Sequence, residues 1–249
     1  LNCGRDSDPV PALKEIRDVF APILTEHPDL VLRRRWLFKP PIETAAIALH
    51  VGPTSSAKDV DLALTVVPLS RFIHPSALGY RRSILIERVI GAPPPEHWMP
   101  LRLQDPPSAY FDVFSPGYQQ HLLPNFEAKV RPFLDAVRTF DDVVAWITRF
   151  RELPRRMGPV EHIDGWIAAM QGDFAAAARH LRSYIDRMEA VHRGVMDTYW
   201  TLQTDIARTL EGADPTAIAA FLHDLERRTI TAYGLERFWR PTPFPFERA

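Results

Sequence analysis

The chain has 249 residues, 46% of them hydrophobic and 24% charged, with a formal net charge of −1. That is enough apolar chain for one large domain or two modest ones, and the even charge balance lacks the basic excess that marks nucleic-acid or membrane-surface partners. A single cysteine, Cys3, excludes an internal disulfide framework and a cysteine metal cluster.

One cysteine fits a reducing compartment. The opening LNCGRDSDP lacks the basic and apolar regions of a signal peptide. No apolar run reaches the roughly 18 residues of a membrane span. The expectation is a cytoplasmic protein.

Residues 11–27 place Leu13, Ile16, Val19, Phe20, Ile23 and Leu24 on one helical face, with Pro22 weakening the last turn. Strands follow at 30–38, 44–51 and 59–67. The last alternates cleanly, Val60, Leu62, Leu64 and Val66 on one side and Asp59, Asp61, Ala63 and Thr65 on the other. A fourth strand is expected at 83–90. Short connections favour antiparallel neighbours, so the pattern predicts a β-meander with the first helix on one face.

Residues 91–124 hold eight prolines, so regular structure should be sparse there. The same stretch carries Trp98, Tyr110, Phe111, Phe114 and Tyr118, too many aromatics for a disordered linker. It reads as an ordered, extended segment, with YFDVF as an edge strand.

From Asn125 the period is helical. Phe126, Val130, Phe133, Leu134 and Val137 share a face of the first helix. Thr139 and Asp142 form a capping-box pattern. Two helices at 160–171 and 174–193 meet at Gly172-Asp173. Two more span 195–211 and 215–233, the second entered through Asp214 and Pro215. The tail RFWRPTPFPFE reads as an extended docking strap. The fold class is α+β: residues 9–124 form the mixed half and 125–249 the helical half. No Gly/Ser linker divides them, so one packed unit and two domains both stay open.

The stretch 51-VGPTSSAKDVDLALTVV-67 carries the sharpest functional question. Residues two apart on a strand face the same way, so Asp59 and Asp61 are placed to chelate Mg²⁺ together. This glycine–serine turn followed by Asp-x-Asp resembles nucleotidyltransferases of the polymerase-beta type. The resemblance implies Mg²⁺ with a nucleoside triphosphate, and a third acid from Glu87 or Asp112. The sequence departs from that family where Pro53 follows Gly52, and the gap to Asp59 is too short for the family's intervening helix. The simpler reading is a hairpin loop, with Asp59 and Asp61 on a solvated strand face.

Arg33, Arg35, Arg81 and Arg82 are candidate ligands for a phosphate-bearing molecule, with structural salt bridges as the simpler role. As one strand, 30–38 would turn Arg33 and Arg35 one way and Arg34 the other, with Leu32, Trp36 and Phe38. His74, His97 and His121 flank the proline-rich region without metal-ligand spacing. No GxSxG, phosphate-loop or dinucleotide motif occurs. Gly165, Gly172-Asp173-Phe174, Ala177 and Leu181 resemble one tetratricopeptide hairpin. No second copy follows at the repeat period, and one hairpin builds no solenoid.

The layout of helix, meander, ordered proline-rich segment and helices with a GDxxxA hairpin resembles uncharacterised bacterial α+β domains. In that group, binding or immunity-type roles in toxin systems are expected. The leading expectation is a non-enzymatic binding protein without a cofactor, contacting another protein through Trp98, Tyr110 and Tyr118 beside Arg81 and Arg82. The alternative is the Mg²⁺-dependent nucleotidyltransferase.

Overall fold

The computed structural model describes residues 13–53, 59–70, 85–86, 111–112, 122–124, 126–151, 161–191, 197–212 and 214–248. The fold is α+β, with an N-terminal helix, an antiparallel sheet and a helical C-terminal half. The described residues within Leu1–Pro40, Ile47–Val66 and Ile86–Arg138 make one compact unit. Those within Pro41–Ala46, Val67–Leu85 and Thr139–Ala249 make another.

In the sheet unit, α1 (Leu13–Glu26) buries Ile16, Val19, Phe20 and Ile23, at the spacing of one helical face. Pro22 lies inside this helix, on its exposed side, and the helix runs on past it for another turn. Strand β1 (Val31–Arg33) then pairs antiparallel with β2 (Trp36–Phe38) in the register Val31↔Phe38, Leu32↔Leu37 and Arg33↔Trp36. Residues 30–38 are therefore a hairpin with a two-residue turn at Arg34-Arg35, not one strand. The expected face-sharing of Arg34 with Trp36 is overturned; Arg34 is exposed on the turn with φ 53°. Tight hairpins usually signal themselves through Gly, Asn or Asp, and three arginines carry no such signal.

The remaining strands are β3 (Ala45–Pro53), β4 (Asp59–Pro68), β5 (Leu85–Ile86) and β6 (Phe111–Asp112). The sheet order is β1-β2-β3-β4-β5, with β6 also paired to β4. Strand β2 is buried on both faces. After a π-helical turn at Phe126–Val130 comes α2 (Arg131–Ala136). Phe126, Val130, Phe133, Leu134 and Val137 are all buried, the five that helical spacing selected.

The helical unit contains α3 (Phe140–Arg151), α4 (Glu161–Met170), α5 (Phe174–Val191), α6 (Asp197–Gly212) and α7 (Pro215–Tyr233). Thr139 and Asp142 cap α3 reciprocally: the Thr139 N–H donates to Asp142 Oδ2 at 2.8 Å, and the Asp142 N–H to Thr139 Oγ1 at 3.2 Å. Asp214 accepts from the Ala217 N–H at 3.0 Å, and Gly234 closes α7 in the left-handed region at φ 66°. Helices α4 and α5 pack as a hairpin turned at Gly172 (φ 84°), and Asp173 accepts from the Ala176 N–H.

The C-terminal tail docks as a strap. The Ile42 N–H donates to the Phe238 carbonyl, and the Arg240 N–H returns a bond to the Ile42 carbonyl, both at 2.8 Å. Phe244 is fully buried, and Phe246 meets Phe174 edge-on at 5.0 Å. Among the described residues no helix is long and apolar enough to cross a membrane.

A Cβ at position 172 would meet Phe246 Cβ at 3.0 Å, and the backbone there already has positive φ. Gly172→Ala should therefore destabilise the protein by about 1–2 kcal/mol, read as a lowered midpoint in thermal unfolding.

Candidate functional site

The end of the sheet carrying the β1–β2 turn gathers most of the charged residues singled out above that fall within the described residues. The Val51 N–H donates to the Arg35 carbonyl at 2.8 Å, so the turn lies beside the last residues of β3. Strand β3 ends at Pro53, and β4 begins at Asp59. The turn, the end of β3 and the start of β4 thus share one end of the sheet.

Arg33 and Arg34 are exposed and Arg35 is half-buried. The Arg35 guanidinium reaches back to the Val51 carbonyl at 3.5 Å. Beneath the turn, Trp36 and His50 sit opposite each other in register, ring centroids 4.6 Å apart. Burial, with Arg35's positive charge beside it, lowers the His50 pKa to about 4. His50 is therefore a neutral aromatic support at physiological pH.

The acidic positions meet through backbone register. Asp59 on β4 pairs directly with Asp112 on β6, and Val60 with Phe111. Residues directly opposite share a sheet face, as do residues two apart on a strand. Positions 59, 61 and 112 therefore occupy one face, with Leu64 and Val66 on the other, buried side of β4. Cross-strand partners stand about 5 Å apart at Cβ, and 59 and 61 about 7 Å apart along the strand. Glu87, Arg81, Arg82, Trp98, Tyr110 and Tyr118 lie outside the described residues, as do His74, His97 and His121. Among the described side chains no group of His, Cys, Asp or Glu is arranged to hold a metal ion.

A second charged cluster was not singled out by the sequence, because its members are about 100 residues apart. Arg131 grips Asp29 through two nitrogens at 2.9 and 3.0 Å and reaches Asp135 at 2.7 Å. Lys39 bridges the same two carboxylates, at 3.1 Å to Asp29 and 2.7 Å to Asp135. His27 contacts Glu127 and lies against Phe126, ring centroids 5.5 Å apart. The network pins the 126–138 segment to the corner between α1 and β1. Its charges answer one another, which is the pattern of a structural clasp.

No protein-family model matches the chain, and no curated protein or solved structure matches it at a significant level.

The clasp carries a pH signature. The Arg131 hydrogen bond holds Asp29 well below the usual carboxylate range, and Lys39 and Arg131 hold Asp135 down against the opposing effect of burial. Carboxylates depressed in the folded state contribute stability above their unfolded pKa, about 3.8, and lose it as pH falls through the folded value. The unfolding midpoint of the wild type should drop steeply below about pH 4. Asp29→Asn should be less stable at pH 7 and show a shallower fall, as measured by thermal scans from pH 7 to 3.

Proposed function

We propose that the chain is a non-enzymatic interaction protein that takes an acidic protein partner at the arginine-crowned end of its sheet unit. The observation that carries this reading is Arg34 at φ 53° in a two-residue turn flanked by Arg33 and Arg35. A branched-free glycine or an asparagine would occupy that conformation with less strain. Arg33 and Arg34 are exposed at this hairpin tip, where long cationic side chains can also meet an acidic surface. Arginine is also the cation that interface centres favour. Immunity-type binding is the role that the resemblance in layout adds to this reading.

Arg33→Gln/Arg34→Gly separates binding from folding. Glycine relieves the left-handed residue, so the unfolding midpoint should hold or rise. Recovery of the partner on immobilised protein should fall about tenfold, equivalent to about 1.4 kcal/mol. Undiminished recovery by the variant would refute the reading.

Nucleotidyl transfer stands as a second reading because of one feature, the direct pairing of Asp59 with Asp112. Like charges opposite one another destabilise a sheet, and a hard divalent cation held by oxygen ligands would remove that repulsion. The residues implied are Asp59, Asp61 and Asp112, with Mg²⁺ supplying charge neutralisation for a triphosphate. Thermal unfolding with and without Mg²⁺ plus mixed nucleoside triphosphates distinguishes the two. The interaction reading expects no ligand-dependent shift. A rise seen in the wild type and lost in Asp59→Asn/Asp61→Asn would transfer the conclusion to the enzyme.

A further inference from the structure

Glu226 on α7 is 1% exposed, and carboxylates are seldom buried so fully unless paired. Its Oε2 lies 2.9 Å from His223 Nδ1, three residues earlier on the same helix. The other ring nitrogen, Nε2, lies 3.0 Å from Glu247 Oε2 on the strap. That same oxygen accepts the Phe244 backbone N–H at 2.7 Å. The imidazole also stacks on the Phe244 ring, centroids 4.2 Å apart with 15° between planes. One histidine therefore joins a buried carboxyl on the helix to a carboxylate on the tail, and its ring face supports the tail's buried aromatic.

Hydrogen-bond counting sets how many protons the trio needs: the imidazole N–H and one more, shared between Glu226 and His223. A neutral imidazole has one N–H and one acceptor nitrogen. With Glu226 protonated, its O–H donates to Nδ1, and the Nε2 N–H donates to Glu247. Every site in the bridge is then used. Once that second proton is lost, Glu226 and Glu247 compete for a single imidazole N–H, and a second uncompensated negative charge stands in the trio. Burial, reinforced by the Glu247 charge, pushes the Glu226 carboxyl up to about 9.

Nearby charges do not offset this. Asp224 pairs with Arg227 and Arg228 on the exposed side of α7, and Arg248 on the strap donates to the Pro243 carbonyl. Among the described residues, the titratable groups that meet Glu226 are thus His223 from its own helix and Glu247 from the strap.

We propose that Glu226, His223 and Glu247 form a proton-held latch for the C-terminal strap, residues 239–248. Loss of one proton from the trio releases the strap and uncovers the surface beneath Phe244 and Phe246, including the Gly172 turn. The direction follows from linkage. Glu226 has a folded pKa above its unfolded value of about 4.5, so the folded state holds a proton that the unfolded state has lost between about pH 4.5 and 9. Stability from this group is full below that window and declines as pH rises through it.

The test uses the full chain with 4-fluorophenylalanine at position 246, followed by fluorine NMR from pH 6 to 10.5. The expected result is one docked resonance at neutral pH, replaced near pH 9 by a free-strap resonance while helical circular dichroism persists. Glu226→Gln keeps the donor and cannot ionise. It should stay docked throughout and unfold at a higher temperature than wild type at pH 8. Glu247→Gln, on the partly exposed tail, removes the charge that helps to raise Glu226, so the release midpoint should move to lower pH. A merely structural trio would leave that midpoint unmoved. The latch is overturned if the wild type stays docked to pH 10.5, if Glu226→Gln releases at the same pH as wild type, or if Glu247→Gln leaves the midpoint in place.

Discussion

Trp36, Leu37 and Phe38 are buried on both faces of a three-residue strand, and their pairing with His50, Leu49 and Ala48 sets the register of the sheet unit. Side chains alternate with period two, so a slip of one residue would exchange the two faces and drive Trp36 and Leu37 into each other's environments. The register is held by the fit of Trp36 against His50 and by backbone bonds such as that from the Val51 N–H to the Arg35 carbonyl. Much else in the unit follows from it. Pairing Arg33 with Trp36 makes the chain reverse within Arg34-Arg35. That reversal brings the arginine turn to the Val51 end of β3, the same end at which β4 starts with Asp59.

The two units use charge in different ways. In the sheet unit, Arg131 and Lys39 answer Asp29 and Asp135 across a long sequence separation, near the surface, with all four groups in contact. Exposed pairs of this kind contribute modestly one by one, and geometry matters more than number. The bidentate Arg131–Asp29 contact is the member with the most directional content. In the helical unit the carboxyl of Glu226 is buried without a cation of its own. Its neighbour is an imidazole shared with a second carboxylate. Such an arrangement holds only at a defined proton count, which makes it a control point, whereas the clasp at Arg131 weakens in acid as its carboxylates protonate and in alkali as Lys39 deprotonates.

The arginine tip and the acidic face supply opposite charges at one sheet end. Charges of both signs at one end leave no trace in the net charge of −1.

Periodicity and capping chemistry were readable directly from the chain. The apolar spacing marked α1 and the five buried residues between Phe126 and Val137. Thr139–Asp142, Gly172-Asp173 and Asp214-Pro215 marked helix boundaries, because caps and turns depend on residues only a few positions apart. The alternation of β4 placed Asp59 and Asp61 on one face for the same reason. Tertiary structure alone decided the rest. The turn at Arg34-Arg35 is set by the pairing of β1 with β2, against local preference. The meeting of Asp59 with Asp112, the Arg131 clasp and the Glu226–His223–Glu247 bridge each join residues whose distance along the chain carries no periodic signal. Local physics fixed the elements, and long-range packing chose which of their charged residues would meet.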